Sequence, residues 1–334
     1  MRYVEDTRPI DVAPARGPDH RDLLRIDTHS IETVCLAGRY LIDRRLASGG
    51  MTVVYGGEDL ELGRSVAIKI LAERHLSRYP DLARFLGEAR LGARIHHENI
   101  VEVLDYGSTA EGIVYLVMEL LLGEDLSVIL ARDPVLPWSR VRSWMQQLCA
   151  GLAALHAHGF IHRDVKPSNC FRVLDGDREL IKLLDFGVAT SSHTADRELD
   201  GSWTMVGTPQ YMAPELARGE RIDERTDVYS AGIILCELVT GQVPFDGTST
   251  TEVLRDQISR PPPPLQQLAA PGVRIDPAVQ QIFERSVAKD PRRRFATVEE
   301  LARRIAAVEP ELRAERLGVP EVIPKRAPSQ AHQH

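Results

Sequence analysis

The residues best suited to chemistry are Asp164, Lys166 and Asn169, which follow a segment with a helical pattern. The Asp164 carboxylate can accept a proton from a hydroxyl group, and the Lys166 ammonium can neutralise a phosphoryl oxygen. The Asn169 side chain offers an amide oxygen, a ligand that suits magnesium. These residue types are those required to transfer a phosphoryl group to a hydroxyl.

A second carboxylate, Asp185, is expected to lie near Asn169 in the folded chain. Residues 170–174 and 180–184 have the composition of β-strands, and the turn-forming residues 175–177 connect them. A hairpin of this kind returns Asp185 to the start of its first strand, beside Asn169. Two oxygen ligands for a metal ion are therefore predicted to converge.

The order of these residues resembles that of a known family. His-Arg-Asp at 162–164, then Asn169, then Asp-Phe-Gly at 185–187, is similar to the catalytic and magnesium-binding loops of eukaryotic-like (Hanks-type) Ser/Thr protein kinases. The Lys-Pro at 166–167 resembles the Ser/Thr class rather than the Tyr class, and segment 207–215 is most like that of bacterial members.

The resemblance implies both a reaction and a fold. Asp164 would orient and deprotonate the acceptor hydroxyl, and Lys166 would stabilise the transferring phosphoryl group of ATP. Asn169 and Asp185 would hold Mg²⁺. The implied fold is α+β and bilobal, with a small antiparallel β-rich N-lobe that carries one main helix and a larger, mainly helical C-lobe.

Composition is that of a soluble, folded protein. Hydrophobic residues make up 43% of the 334 residues and charged residues 27%, and the net charge of −7 argues against reliance on nonspecific nucleic-acid binding. No signal peptide is recognisable, and no apolar run approaches the roughly eighteen residues of a spanning helix. The four cysteines are scattered, which predicts free buried thiols and a cytoplasmic protein. They are Cys35, Cys149, Cys170 and Cys236.

Domain organisation follows from the extent of the resemblance. Residues 1–38 contain few apolar side chains and are predicted to be a disordered extension, which could regulate the protein or dock partners. Residues 39–308 form the expected kinase domain, and the Pro-rich tail 309–334 is predicted to be disordered. Within the domain, the N-lobe is expected at about 39–118, the hinge at about 119–123 and the C-lobe at about 124–308.

The N-lobe begins with β-like runs at 40–42, 51–55 and 65–71. Segment 46–55 resembles the glycine-rich hairpin that lies over ATP phosphates, although Ala47 and Thr52 stand where the family pattern has glycine. An ordinary hairpin is the alternative for this segment considered alone.

A lysine on the next strand resembles the family's phosphate-binding lysine. Val-Ala-Ile-Lys at 66–69 places Lys69 on the α- and β-phosphates, and Glu88 on a predicted helix at 81–95 would pair with it. A surface lysine and a solvated helix glutamate are the alternatives. The order of lysine strand and glutamate helix favours the pair.

The hinge would bind the adenine. By resemblance, Met118 lies behind the adenine pocket, Glu119 and Leu121 present backbone groups, and Asp125 reaches the ribose, although plain core packing also accounts for Met118. The residues expected to bind the nucleotide are Leu46, Ala47, Ser48, Gly49, Gly50, Val54, Ala67, Lys69, Glu88, Met118, Glu119, Leu121, Asp125, Phe171 and Asp185.

The chain beyond the hinge is predicted to be mainly helical. Apolar residues recur at helical spacing over 141–155, and further helices are expected at 227–239, 277–289 and 298–308, with a long loop through the prolines 261–264.

Three residues beyond the catalytic loop have structural roles by resemblance. Thr208 would hydrogen-bond near Asp164 in a substrate-docking loop, and Glu215 of Ala-Pro-Glu would pair with Arg294. Asp227 would brace the catalytic loop.

A polar run at 190–204 resembles an activation segment. Because Arg163 precedes Asp164, as in family members that bind an activating phosphate, autophosphorylation is expected in this run, at Thr204 or Ser202, which lie nearest Gly207. Ser191, Ser192 and Thr194 are further candidates, and an exposed polar loop without phosphate is the alternative. A transient homodimer would permit that reaction, and the other partners would be protein substrates with Ser/Thr acceptors.

Two other function classes stay open. A pseudokinase scaffold would bind nucleotide or partners without turnover, and the altered glycine hairpin favours it. A phosphotransferase acting on a small molecule is the second alternative, and the activation segment argues against it.

Overall fold

The computed structural model describes residues 34–49, 51–76, 79–185, 190–191 and 208–309. Their first part is a six-stranded antiparallel sheet in the order β1-β2-β3-β4-β6-β5. The strands are β1 (Val34–Leu36), β2 (Tyr40–Ser48), β3 (Thr52–Asp59), β4 (Arg64–Leu71), β5 (Val103–Ser108) and β6 (Val114–Glu119). Two helices, α1 (Glu73–Leu76) and α2 (Tyr79–Gly92), follow β4.

Alternation along β4 divides its side chains between two environments. Val66 and Ile68 pack in a small cluster with Tyr40 and Tyr115 on one face of the sheet. The side chains that alternate with these along the strand, such as Ala67, point to the opposite face and join the larger core that continues into the rest of the chain. Lys69 shares this second face, and the strand therefore carries it to the side where α2 and the C-lobe lie.

The second part of the chain is mainly helical. Helix α6 is buried along nearly its whole length, and apolar residues surround it, as expected for a central core helix. The helices of this part are α3 (Leu126–Arg132), α4 (Trp138–Ala157), α5 (Pro214–Arg218), α6 (Arg225–Thr240), α7 (Thr250–Ser259), α8 (Leu265–Leu268), α9 (Pro277–Ser286) and α10 (Val298–Ala306). The predicted bilobal fold, with a β-rich first lobe and a helical second lobe, is confirmed.

Two small sheets position the polar loop between them. The first has the order β10-β9-β7, and the second pairs β11 with β8. The loop 162–169 connects β8 to β9, and Asp185 follows β10. The strands are β7 (Gly123–Asp125), β8 (Phe160–Ile161), β9 (Cys170–Asp175), β10 (Arg178–Leu183) and β11 (Thr190–Ser191).

Three expectations from the sequence are wrong. Residues 34–38 are not disordered, because β1 pairs with β2 and buries Leu36. The long loop expected before the prolines contains α7, whose buried face is partly polar and therefore invisible to an apolar pattern. Cys35 is exposed, whereas the other three cysteines are buried as expected.

Burial raises the pKa of Cys149 and Cys236 to about 12, which keeps these thiols protonated and unreactive. Within the described ranges, no helix combines the length and apolar composition needed to cross a bilayer.

Two helical glycines should respond in opposite ways to alanine. A Cβ at Gly232 in α6 would lie 2.6 Å from Ser286 Cβ, whereas a Cβ at Gly87 in α2 would meet nothing within 4 Å. We expect Gly232→Ala to lower the free energy of unfolding by about 1–3 kcal/mol through overpacking. Gly87→Ala should raise it by up to about 1 kcal/mol. Urea denaturation of both variants measures the change in the free energy of unfolding. Equal changes in the two variants would contradict the close approach of α6 and α9.

Candidate active site

The polar loop between β8 and β9 brings the first three predicted residues together. Lys166 Nζ lies 2.7 Å from Asp164 Oδ2, and Asn169 Nδ2 donates to the Asp164 carbonyl at 2.9 Å. The same amide nitrogen lies 3.2 Å from Asp164 Oδ2. A 3₁₀ turn at Pro167–Asn169 brings the chain back on itself, so that Asp164 and Asn169 face each other.

Asp185 lies next to this group, as the sequence predicted. The Leu184 amide donates to the Asn169 carbonyl at 2.9 Å, which fixes the end of β10 against the loop. Asp185 has a φ of 57°, in the left-handed region that is uncommon for a residue with a side chain. Its half-exposed side chain is thereby directed to Lys69, with an Nζ to Oδ1 distance of 2.5 Å.

The predicted pairing of Lys69 with Glu88 is confirmed. The buried Lys69 Nζ lies 2.7 Å and 3.0 Å from the two oxygens of Glu88, which α2 carries. Burial opposes the ammonium, but the charges of Asp185 and Glu88 outweigh it and raise the pKa of Lys69. In turn, the Lys69 charge is the main cause that lowers the pKa of Asp185.

A buried carboxylate from α6 holds the loop backbone. Asp227 is fully buried and accepts the amides of His162 at 2.8 Å and Arg163 at 2.9 Å. Its bracing role, predicted by resemblance, is therefore supported by direct contacts. Arg163 has a φ of 68°, and the paired amides stabilise that unusual conformation.

His156 completes the environment of Asp227, and sequence reasoning missed it. Its Nε2 lies 2.7 Å from Asp227 Oδ2, and its Nδ1 lies 3.7 Å from Glu224 Oε2. Burial opposes the imidazolium, but the hydrogen bond and the charge of Asp227 outweigh it and raise the pKa of His156. Its position as the last residue but one of α4, close to the loop, was the available signal.

The hairpin of β2 and β3 accommodates the two residues that depart from the family pattern. Gly49 N donates to Thr52 O at 2.8 Å, and Ala47 pairs with Val54. Leu46 falls at a register shift in β2 and is exposed. A Cβ at Gly49 would meet Thr52 O at 3.6 Å, an ordinary contact, so the turn does not depend on glycine there.

Strand pairing gathers several residues that were predicted to bind a nucleotide. Val54 pairs with Lys69, and Ala67 pairs with the buried Met118. Ser48 pairs with Val53 at the hairpin end. The cleft-facing side of the sheet therefore holds the predicted phosphate and adenine contacts close together.

The hinge segment contributes backbone groups and two side chains that already have partners. Glu119 accepts from Lys182 Nζ at 2.6 Å, and Leu121 lies between β6 and β7. Asp125 caps α3 by accepting the Ser127 amide at 2.9 Å, a structural task beside the ribose contact predicted for it. Phe171 lies opposite Asp125 on β9.

The donor set fits magnesium. Because Asn169 Nδ2 donates to Asp164, the amide oxygen is the atom left to bind a cation, and Asp185 adds a carboxylate. Magnesium usually takes one or two carboxylates with phosphate oxygens and water, and needs no larger protein cage. No cluster of three His, Cys, Asp or Glu side chains that could hold a metal occurs among the described residues.

The segment after the polar run also reaches the loop. The Thr208 amide lies 3.3 Å from Asp164 Oδ1, so the expected contact is made by its backbone. The predicted ion pair of Glu215 with Arg294 is confirmed, with two N–O distances of 2.7 Å. Gly50, Phe186, Gly187, Ser202 and Thr204 lie outside the described residues.

Comparison with known proteins gives consistent matches. The family model for the protein kinase domain matches residues 40–304. The chain is 34% identical over 291 residues to Serine/threonine-protein kinase pkn3 of Myxococcus xanthus, covering 86% of this chain and 53% of that protein. It is 39% identical over 264 residues to Pkn1 of the same organism, covering 78% and 37%.

A mycobacterial relative is similar. The chain is 37% identical over 279 residues to Serine/threonine-protein kinase PknA of Mycobacterium tuberculosis (strain ATCC 25618 / H37Rv), covering 82% of this chain and 62% of that protein. The chain thus spans 37% to 62% of the length of these three relatives.

His156 should make stability depend on pH. Because its folded pKa is raised above the usual 6.5, its stabilising contribution is complete below that pH and is lost as pH rises through the folded pKa. We expect the Tm difference between the wild type and His156→Gln to shrink as the pH rises above the usual 6.5 and through the folded pKa of His156. The exposed His158→Gln is the control. A difference that stays constant or grows with pH would contradict this assignment.

Proposed function

The chain belongs to the protein kinase domain family, and from that premise we propose that it transfers the γ-phosphoryl group of ATP to Ser or Thr hydroxyls of protein substrates. The observation that carries this proposal is that two contacting pairs, Lys69 with Asp185 and Asp164 with Asn169, are brought together where the Leu184 amide donates to the Asn169 carbonyl. ATP and Mg²⁺ are the expected cofactors, and the cytoplasm is the compartment where ATP is available.

Asp164 is proposed to orient the acceptor hydroxyl and take its proton. Its Oδ2 accepts from Lys166 and Asn169, and its Oδ1 accepts from the Thr208 amide, so three donors hold the carboxylate. Lys166 lies beside the same carboxylate, and its ammonium group can therefore stabilise negative charge on a phosphoryl group that is transferred next to Asp164. This arrangement favours positioning and electrostatic stabilisation, the main sources of catalysis in phosphoryl transfer.

Lys69 is proposed to contact the α- and β-phosphates. Its two carboxylate partners keep it charged, and Glu88 holds it on the cleft side of β4. Asn169 and Asp185 would hold magnesium, which would neutralise charge on the phosphate oxygens. Binding of ATP therefore requires Asp185 to exchange some of its contact with Lys69 for the ion.

A pseudokinase scaffold is the competing function. Ala47 and Thr52 in the hairpin favour it, because they replace glycines that would let backbone amides approach phosphates most freely. Ala47 pairs with Val54 and Thr52 accepts the Gly49 amide, so the hairpin forms with Gly49 retained, which supports the approach of phosphate. Incubation with labelled ATP, magnesium and casein separates the two functions, and a sugar or aminoglycoside acceptor tests the small-molecule alternative.

Asp164→Asn should abolish transfer and leave nucleotide binding nearly intact. The substitution removes the proton acceptor but none of the proposed phosphate contacts, and loss of a general base costs about a hundredfold or more. Casein phosphorylation and the Kd for ATP with magnesium measure both quantities. The control is Asp177→Asn, the same change at an exposed turn position. Turnover within a few-fold of the wild type would contradict the role of Asp164.

Autophosphorylation of the polar run is proposed to activate the protein, at Thr204 or Ser202. The support is Arg163, whose backbone Asp227 holds beside Asp164, because an arginine in that position can order a phosphorylated segment. A transient homodimer would let one chain phosphorylate another.

Mass spectrometry after incubation with ATP and magnesium should find phosphate between residues 190 and 204, and the Asp164→Asn variant should lack it. Joint Ser202→Ala and Thr204→Ala substitution should slow casein phosphorylation about tenfold or more, since an unordered segment docks substrate poorly. Joint Ser191→Ala and Thr194→Ala substitution is the matched control. A fully active protein without phosphate in this run would refute the regulation but not the transfer.

A further inference from the structure

The segment Thr208–Tyr211 is held from three directions. From the catalytic loop, Asp164 Oδ1 lies 3.3 Å from the Thr208 amide. From α6, Ser230 Oγ donates to the Tyr211 carbonyl at 2.8 Å. From α7, Gln257 Nε2 donates to the carbonyls of Pro209, at 3.3 Å, and Gln210. We call residues 208–211 the docking segment.

Gln257 is a polar residue in an unusual environment. It is fully buried, and its side-chain oxygen accepts the Tyr229 hydroxyl, so both ends of the amide are engaged. Its backbone carbonyl accepts Lys289 Nζ at 2.6 Å, and that ammonium also lies 4.0 Å from the centre of the Phe245 ring. Because a buried amide is costly unless its hydrogen bonds are made, these contacts restrict the side chain to one orientation.

The two carbonyls that Gln257 binds are adjacent in the docking segment, next to Thr208. Any displacement of these carbonyls therefore also displaces the Thr208 amide, which contacts Asp164. Among the described residues, the hydrogen bonds of Gln257 go to Pro209, Gln210, Tyr229 and Lys289, and none reaches Lys69, Asn169 or Asp185, the residues proposed to bind phosphate and magnesium. A change at Gln257 should consequently affect the acceptor and leave the nucleotide unaffected.

We propose that Gln257 is a positioning residue for the polypeptide acceptor, which fixes the docking segment relative to Asp164. The inference rests on the proposed function and adds to it the element that aligns the acceptor. α7 thereby couples the core of the helical lobe, through Tyr229 and Lys289, to the place where a Ser or Thr side chain would meet Asp164.

Two substitutions remove the donor in different ways. Gln257→Glu keeps the shape and one acceptor oxygen but places an oxygen where Nε2 donates to two carbonyls. Gln257→Met keeps a similar volume without a buried charge, and it serves if the first variant folds poorly. Gln281→Glu makes the same change at an exposed position of α9 and is the matched control.

Kinetics with casein provide the first measurement. We expect Gln257→Met to lower kcat/KM for casein about tenfold, since small misplacements of reacting groups reduce rates strongly. KM for ATP, and ATP hydrolysis without casein, should stay within about twofold of the wild type, as should every constant of Gln281→Glu. An unchanged kcat/KM for casein, or a parallel loss of ATP hydrolysis without casein, would overturn the positioning role.

Amide hydrogen exchange tests, without any catalysis, whether Gln257 holds the docking segment in place. The amides of Tyr211 and Met212 donate to carbonyls of Thr208 and Pro209 and should exchange faster in both Gln257 variants, but not in Gln281→Glu. Unchanged exchange rates would show that Gln257 does not hold the docking segment. If the wild type phosphorylates no protein, the proposed function fails, and the role of Gln257 toward the acceptor fails with it. If the exchange rates nevertheless change as expected, the contact of Gln257 with the docking segment is still supported.

Discussion

The buried carboxylate of Asp227 is the interaction on which the candidate site depends. A charge placed in the core is strongly destabilising unless hydrogen bonds surround it, and Asp227 obtains them from His156 and from the amides of His162 and Arg163. The loop backbone must therefore adopt the conformation that presents these two amides, including the left-handed φ of Arg163. Asp164 follows directly, so a fully buried residue on α6 fixes the position of the proposed base.

The second constraint is that one cation connects the two lobes. Lys69 on β4 contacts Glu88 on α2 and Asp185 after β10, so elements from both lobes share a single buried ammonium. Removing either carboxylate would leave the buried positive charge of Lys69 with one negative partner fewer. The pKa of Lys69 is raised because the charges of both carboxylates stabilise the ammonium. The same geometry brings the groups proposed to bind phosphate and the carboxylate proposed to bind magnesium next to each other.

Apolar patterns in the sequence predicted the strands and helices whose positions are determined by the burial of apolar side chains. The strands β2, β3 and β4 and helix α4 were expected from their patterns, the pair of Glu215 with Arg294 was expected from the family resemblance, and the structure contains them. The strand β1 was missed because three residues with one exposed cysteine carry almost no pattern, and pairing with β2 stabilises them. Helix α7 was missed because Asp256 and Gln257 lie on its buried face beside Val253 and Leu254, where periodicity would require apolar residues.

Asp227, which only the family resemblance predicted, and Gln257, which was missed, share a physical reason for being buried. Apolar side chains fill space and stabilise the core in proportion to buried area, but their contacts are not directional and specify a backbone position only loosely. A buried donor or acceptor with a fixed partner is directional, and its desolvation penalty makes alternative backbone positions unfavourable. Asp227 acts in this way on the catalytic loop from α6, and Gln257 acts on the docking segment from α7. The helical lobe therefore supplies two independent polar anchors on either side of Asp164, and a hydrophobicity pattern reveals neither.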